Sequence, residues 1–251
     1  MKIDRDTWLS GVLGRASWKV SALSVETKPT DIRAVMLDRA GTDPAFFSVK
    51  IPTSDMVAVS NAAKAGFSVI DVNVTFDWLS APGALPDDVR DSDVTIGFAS
   101  PDDAAAIEQV AAGCFTFSRF HRDPGIGTDR ANEIKRQWAR NACGGRAATV
   151  YVAKHGDDVA GFLAVLKAAT SAGTDAIIDL VGIGADYQGQ GAGRALSRMF
   201  VAQWRDQADR LRVGTQVANI PAMRLYESIG FRVTETAYVL HAHVINGALA
   251  A

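Results

Sequence analysis

One segment constrains the fold of this chain more than any other. Residues 188–193, Gln-Gly-Gln-Gly-Ala-Gly, place three glycines between a predicted strand that ends near Ile183 and a predicted helix over residues 191–204. The N–H groups in the first turn of a helix have no intrahelical acceptor, and the helix dipole adds positive potential there. The segment therefore predicts an anion-binding loop inside an α/β domain.

The spacing of the glycines narrows the kind of loop. No Lys-Ser/Thr pair follows, which excludes a P-loop, and G-x-G-x-x-G spacing is absent. The loop matches Gln/Arg-x-x-Gly-x-Gly/Ala, and residues 219–231 match Asn-x-x-Ala-x-x-x-Tyr-x-x-x-Gly-Phe. In these two ordered motifs the chain resembles the Gcn5-related N-acetyltransferases (GNAT).

That resemblance implies acetyl-coenzyme A as co-substrate and no metal. Backbone amides of the loop are expected to hold the coenzyme A pyrophosphate, and the preceding strand to pair with the pantetheine arm. The coenzyme-binding residues that the resemblance implies are Gly182, Ile183, Gln188, Gly189, Gln190, Gly191, Ala192, Gly193, Arg194, Asn219, Ala222 and Tyr226.

Acetyl transfer to an amine needs a polarised thioester carbonyl and a proton for the leaving thiolate. A main-chain N–H near Ile183 is expected to polarise the carbonyl. Tyr226 is the predicted acid, since phenol and thiol have similar pKa values. The alternative for Tyr226 is a core tyrosine with a satisfied hydroxyl.

Several blocks of the chain resemble the dTDP-fucosamine acetyltransferases, which acylate the amino group of a nucleotide-linked 4-amino sugar. They are residues 45–49, 65–71, 117–120, 137–142, 218–219 and 234–238. The resemblance implies that Asp71 lies near the sugar amine, where the family is expected to carry Glu. The alternative for Asp71 is a surface aspartate on a strand.

Further acceptor-site candidates come from position in the fold. Ser118, Arg119 and Arg122 follow the predicted helix 104–115, where this family builds its acceptor site, and the arginines suit a nucleotide diphosphate. Asp179 lies four residues before Ile183, so alternation places both on one face of the strand, and relatives carry a general base there. The alternatives are solvated arginines and a structural aspartate.

The predicted fold class is α/β (α+β): a GNAT fold with a mixed central sheet, preceded by a smaller α/β domain that resembles a partial GNAT repeat. Residues 1–90 are the predicted substrate-side domain and residues 91–251 the catalytic domain, joined by a Pro/Gly/Asp-rich linker over residues 80–88 that ends near Asp93. Residues 49–76 and 213–240 both read strand, helix, Gly-Phe, strand. Ala62 then occupies the place of Tyr226, so the N-terminal copy lacks the acid.

Composition restricts the partners. A net charge of -2 and a pI of about 6.1 give no basic excess for nucleic acid or an anionic membrane. Cys114 and Cys143 have no disulfide-framework or zinc spacing, and His241 and His243 share a strand face without a third metal ligand. The charged N-terminus and the lack of a long apolar run favour a cytoplasmic protein. A homodimer stays open, because sheet edges in this fold often pair.

Three functional hypotheses remain at this level. The first is an N-acetyltransferase for a small amine, above all the amino group of a nucleotide-linked sugar, by direct transfer in a ternary complex. The second is an N-acetyltransferase for a protein, a peptide or another small amine. The third is a non-catalytic acyl-CoA-binding module.

Overall fold

The computed structural model describes residues 1–24, 26–79 and 93–250. The predicted linker over residues 80–88 lies outside the described residues. The helices are α1 (Thr7–Leu13), α2 (Pro29–Ala40), α3 (Met56–Ala65), α4 (Ala104–Cys114), α5 (Thr128–Asn141), α6 (Ala192–Trp204) and α7 (Ile220–Ser228). The strands are β1 (Lys2–Arg5), β2 (Ala16–Ser21), β3 (Ala45–Pro52), β4 (Ser68–Trp78), β5 (Thr95–Phe98), β6 (Thr149–His155), β7 (Asp158–Thr170), β8 (Gly173–Ile183), β9 (Arg210–Gln216), β10 (Phe231–Ile245) and β11 (Ala248–Leu249).

The chain forms two compact units that interleave along the sequence. The first unit contains residues 1–73, 117–134 and 235–251, and the second contains residues 74–116 and 135–234. The long strands β4 and β10 and helix α5 contribute residues to both units. The predicted division of the chain near residue 90 falls among the residues that are not described and stays a prediction.

In the first unit the strand order is β1-β2-β3-β10-β4. β2 pairs with β3 in parallel, and β3 pairs with β10 antiparallel from Pro52–Ala237 to Ala45–Val244. One face of this sheet packs against α2 and α3 through a core that includes Phe47, Val49, Ile32, Met36, Ala62 and Leu240. The apolar residues of β3 at alternating positions thus bury one face.

In the second unit the order is β4-β9-β8-β7-β6-β5. β5 to β8 pair antiparallel, while β8 and β9 pair in parallel from Asp175–Arg210 to Ile178–Val213. One face carries α6 and α7 over a core with Phe200, Tyr226 and Phe231, and the other carries α4 and the end of α5 over Phe162 and Leu180. The predicted mixed sheet of an α/β protein is confirmed.

The internal repeat is visible as local structure at an offset of 164 residues. Asp55 caps α3 by accepting a hydrogen bond from the Ala58 N–H, and Asn219 caps α7 by accepting one from the Ala222 N–H. Both helices are followed by a glycine with positive φ, 108° at Gly66 and 99° at Gly230, and then by a phenylalanine and a strand. The two segments therefore share the same kind of helix cap and the same kind of helix end.

The predicted helices 104–115 and 191–204 match the structure to within one residue at their ends, and segments 49–76 and 213–240 each form a strand, a helix and a strand. The first 40 residues, for which no helix or strand is predicted above, form β1, α1, β2 and α2. Among the described residues, no helix is long and apolar enough to cross a membrane. Both cysteines are free thiols.

Candidate functional site

The glycine loop connects β8 to α6 as predicted. A short 3-10 turn, Ala185–Tyr187, precedes it, and Gly189 and Gly191 adopt φ values of 77° and 91° that only glycine takes without strain. The side chain of Gln190 donates to the Asp186 carbonyl at 2.7 Å. This conformation leaves the N–H groups at the start of α6 without intrahelical acceptors, as an anion site requires.

The end of β8 exposes a backbone donor beside this loop. Gly161 of β7 lies opposite Ile183, and the Gly184 N–H donates to the Ala160 carbonyl at 2.9 Å. In an antiparallel ladder that bond makes the Gly161–Ile183 pair non-hydrogen-bonded, so the N–H of Ile183 points away from β7. It points to the β9 side, where the described parallel pairs end at Ile178–Val213 although β8 continues to Ile183.

The thiol of Cys114 is a neighbour that competes for the Ile183 N–H. The thiol of Cys114 approaches it: burial raises the pKa of the thiol to about 12, and the Ile183 N–H opposes that rise. A neutral thiol is a weak acceptor, so it competes poorly with a thioester carbonyl. Gly182 lets α4 come this close, because a Cβ there would lie 2.7 Å from Cys114 Sγ and 2.8 Å from Phe162 Cε1.

Gln188 and Asn219 have structural bonds as well. Gln188 donates its amide to the Ile183 carbonyl at 3.1 Å, which fixes the turn out of β8. Asn219 caps α7 through the Ala222 N–H at 3.3 Å and donates to Thr215 Oγ1 at 3.2 Å. The predicted coenzyme-binding residues thus all lie in the second unit, on β8, the loop and first turn of α6, and α7.

Tyr226 lies on α7 inside the core of the second unit. It is 2% exposed and packs edge-on against Phe76 and at a tilt against Phe231, with ring centroids 5.8 and 6.0 Å away. Burial raises its pKa well above the ordinary value, so the phenol stays protonated at neutral pH. Ile183 packs against the same cluster. The role of the protonated Tyr226 as the acid stays a prediction.

Asp179 does not share a face with Ile183, so the alternation argument is wrong at this point. The β7–β8 register shifts between Ala164 and Val165, which places a bulge at Asp179. Asp179 Oδ2 accepts from Trp138 Nε1 at 2.8 Å and from Arg146. Trp138 packs on the α4 side of the sheet, whereas Ile183 packs on the α6 side. Its role as a base stays a prediction.

Asp71 is a buried residue of the first unit, which makes the interpretation as a surface aspartate wrong. It is 6% exposed, and its Oδ1 accepts the Val72 N–H at 2.7 Å. Its Oδ2 accepts no hydrogen bond, and Arg122 Nε is 4.0 Å away. Burial raises the pKa of this carboxyl, while the Val72 N–H and Arg122 oppose the rise. A buried oxygen without a donor is suited to bind an ammonium group.

The loop that carries Ser118, Arg119 and Arg122 is held by its own side chains. Ser118 is buried, with Oγ 2.6 Å from His121 Nδ1, and His121 Nε2 is 2.9 Å from Asn132 Oδ1. Arg119 is half-buried, and Arg122 has 43% of its side chain exposed.

One cluster in the first unit was missed at the sequence level. Asp123 Oδ2 lies 2.6 Å from His241 Nδ1, and both of its oxygens lie 3.0 Å from His243 Nε2. Strand alternation predicted that the two histidines share a face. Asp123 precedes them by more than a hundred residues, and no sequence motif around it indicated that it contacts them. In the part of the chain that the structure describes, neither this cluster nor any other group of three such side chains is arranged to hold a metal ion.

A model of the acetyltransferase (GNAT) family matches residues 104–231, half of the chain. This span holds β8, the glycine loop and α7. The chain belongs to that family. The predicted family, and with it the fold class, is confirmed.

Two curated members resemble the chain in sequence. It is 30% identical to dTDP-fucosamine acetyltransferase of Escherichia coli over 198 residues, 76% of this chain and 79% of that protein. It is 37% identical to spore coat polysaccharide biosynthesis protein SpsD of Bacillus subtilis over 147 residues, 58% of this chain, and spans half the length of SpsD.

The fold also occurs in solved structures. A functionally unknown conserved protein from Staphylococcus epidermidis superposes with a TM-score of 0.62 at 17% identity, over 93% of this chain and 87% of that one. At this level of identity the likeness concerns the fold alone.

Proposed function

We propose that this protein transfers an acetyl group from acetyl-CoA to the amino group of a small acceptor, a nucleotide-linked amino sugar. The observation that carries the proposal is the gap beside the end of β8. There the Ile183 N–H points away from β7, next to a helix start shaped for an anion. A pantetheine amide fits that gap as an added strand, and the pyrophosphate fits the first turn of α6.

The reaction follows from these groups. The amine nitrogen attacks the thioester carbonyl carbon, and the Ile183 N–H stabilises the charge that develops on the oxygen. The carbon–sulfur bond then breaks, and Tyr226 donates its proton to the leaving thiolate. The amine loses a proton to a carboxylate or to water, with Asp71 and Asp179 as the proposed acceptors.

The sugar part of the proposal has two supports. The curated relatives are named for dTDP-fucosamine acetylation and for spore coat polysaccharide synthesis. In this chain, Asp71 offers an amine a buried carboxylate oxygen that accepts no hydrogen bond, with Arg122 beside it.

Thiol release from acetyl-CoA in the presence of dTDP-4-amino-4,6-dideoxygalactose tests the proposal. Tyr226→Phe should lower kcat by about 100-fold or more, because it removes the general acid, while the KM for acetyl-CoA changes little. Tyr151→Phe is the matched control: Tyr151 is also a buried tyrosine of this core, and its hydroxyl accepts from Trp204 Nε1 at 3.1 Å. That variant should lose about 1 kcal/mol of stability and keep its kcat. An equal kcat in wild type and Tyr226→Phe would show that Tyr226 is not the acid.

A further inference from the structure

The sheet of the first unit has a second face, opposite α2 and α3, and that face carries several polar residues beside Phe46 and Val239. Lys19 of β2 pairs in register with Ser48 of β3, and Ser48 lies opposite His241 of β10. Residues paired across strands point to the same side, as do residues two apart on one strand, so Lys50 joins them. Asn73 of β4 also belongs to this face, because Lys50 Nζ donates to Asn73 Oδ1 at 3.2 Å.

Positive charge accumulates on this face. Lys19 and Lys50 are solvent-exposed. The ammonium group of Lys50 is nevertheless crowded by protein atoms, and this burial, together with the charges of Arg119 and Lys19, lowers its pKa to about 8. In the described part of the chain, none of the three forms an ion pair with a carboxylate. Asp4 lies opposite Lys19 in register but pairs with Lys2 instead. Three cations held together without a carboxylate in contact favour binding of an anion.

The cluster of Asp123, His241 and His243 holds the side chain of Arg119 in position. The Arg119 guanidinium lies over the Phe120 ring, 4.4 Å from its centroid, and Arg119 Nη1 lies 3.3 Å from His241 Nε2. His241 Nδ1 bonds to Asp123, so its Nε2 is the acceptor for the arginine. The carboxylate of Asp123 is used by two histidines, and it attracts Arg119, as Asp6 does, only from a longer distance.

The distance between two residues of β4 indicates how long the ligand is between its amino group and its phosphate. Asp71 and Asn73 are two residues apart and share one face of the strand, which separates them by about 7 Å. Asn73 marks the Lys50 end, and Asp71 marks the proposed amine position. That separation is similar to the span of a hexose ring between an amino group and a phosphate on its far side.

We propose that Lys19, Lys50 and Arg119 form a binding site for the diphosphate of a nucleotide-linked acceptor. The inference rests on the proposed function, since it names the part of the acceptor that this face recognises. The two lysines contact the phosphate oxygens from the strands, and Arg119, held by His241 and Phe120, contacts them from the loop. Asn73 orients Lys50.

Calorimetric titration of thymidine diphosphate tests this site. The protein is first saturated with acetyl-CoA, so that the glycine loop is filled and does not compete for the diphosphate. The dissociation constant of thymidine diphosphate should rise about tenfold in Lys50→Gln and in Lys19→Gln, because each loses one charged contact. Lys64→Gln is the matched control: Lys64 is an exposed lysine in the last turn of α3 and should leave the constant unchanged. Uncharged thymidine should not distinguish the variants.

The outcomes separate this inference from the proposed function. If wild type does not bind thymidine diphosphate, or if Lys50→Gln and Lys19→Gln bind it as tightly as Lys64→Gln, the diphosphate site is refuted. Normal acetyl-CoA binding in that case leaves the acetyltransferase proposal intact. If wild type does not bind acetyl-CoA, the proposed function is refuted instead. Titration of thymidine diphosphate into the free protein then tests the diphosphate site by itself.

Discussion

At the scale of residues, strand β4 carries two buried aspartates with opposite surroundings. Asp77 forms a bidentate pair with Arg212, with oxygen–nitrogen distances of 2.7 and 2.9 Å. Asp71 has one oxygen that accepts no hydrogen bond and a pKa that burial raises. A carboxylate kept in such surroundings costs stability when it ionises, so a functional role explains it better than a structural one.

Replacement of each aspartate by asparagine should separate the two roles. A raised pKa means that the folded protein binds this proton more tightly than the unfolded chain, so ionised Asp71 opposes folding at neutral pH. Asp71→Asn should therefore keep or raise Tm, by about 2 °C, and lower kcat/KM about tenfold or more. Asp77→Asn should lose about 3 kcal/mol of stability, since it removes one partner of a buried pair. Thermal unfolding and steady-state kinetics check both, and a large loss of Tm in Asp71→Asn contradicts the proposed role.

Residue roles differed in how far the sequence predicted them. Gly189, Gly191, Asn219 and Tyr226 belong to short local motifs, and the structure places them on the elements that the motifs imply. The prediction that Asp179 shares a strand face with Ile183 was wrong because a bulge interrupts the alternation. Bulges depend on the pairing of two strands, which the sequence of one strand does not show. The contact of Asp123 with His241 depends on how its loop packs on β10, so the sequence did not predict it.

At the scale of elements, the helix starts of α3 and α7 offer a matched pair. Asp55 and Asn219 hold the same capping position 164 residues apart, and each accepts an N–H from an alanine three residues later. Only Asn219 belongs to the predicted coenzyme site. The repeat therefore supplies its own control for distinguishing a helix cap from a ligand contact.

Alanine at either cap should cost about 1 kcal/mol of stability, because one N–H group of the first turn loses its acceptor. Asn219→Ala should in addition raise the KM for acetyl-CoA several-fold, whereas Asp55→Ala should leave this constant unchanged. Urea unfolding gives the first quantity and initial rates give the second. Equal KM values in the two variants would assign Asn219 a capping role alone.

The elements that the sequence predicted best are those with strong local signals. Gly66 and Gly230 end their helices with positive φ, and Ser100 and Asp103 mark the start of the α4 region, where the Ser100 N–H donates to Asp103 Oδ2 at 2.8 Å. Of the N-terminal elements, β1 and α1 gave no clear signal because they have four and seven residues. Elements this short are held by tertiary packing, such as the buried Leu9 and Leu13, rather than by local propensity.

At the scale of the whole molecule, stability should depend on pH through the Asp123 cluster. Burial lowers the pKa of His241 from 6.5 to about 4, although the hydrogen bond with Asp123 opposes this. Between those two values the unfolded chain binds a proton that the folded protein does not. Stability contributed by His241 is therefore full above pH 6.5 and is lost as the pH falls toward 4.

The free energy of unfolding should be about 2 kcal/mol lower at pH 5 than at pH 7 from this group alone. Asp123, whose carboxylate is held ionised by the two histidines despite its burial, adds a loss at still lower pH. Urea denaturation at the two pH values measures the difference. His241→Gln should remove most of it, and His155→Gln, at the exposed end of β6, should preserve it. An identical pH dependence in wild type and His241→Gln would contradict the assignment.

The arrangement of the chain as a whole was the least predictable level. The family motifs lie in one continuous stretch of sequence, and they sufficed for the fold class. The first unit, in contrast, is built from segments that are far apart in sequence, because residues 117–134 and 235–251 join residues 1–73. Such an assignment depends on contacts between residues far apart in sequence, and no local pattern encodes it.

The unpaired end of β8 also has a consequence for the protein without its coenzyme. β8 stops pairing with β9 at Ile178 but continues to Ile183, so on the β9 side it has a short interior edge with unmet hydrogen-bonding capacity, like the edge of an open sheet. Under the proposed function, the coenzyme would add a strand along this edge and complete the sheet. Binding of the coenzyme would then stabilise the folded protein, and the protein without it should be more sensitive to proteolysis.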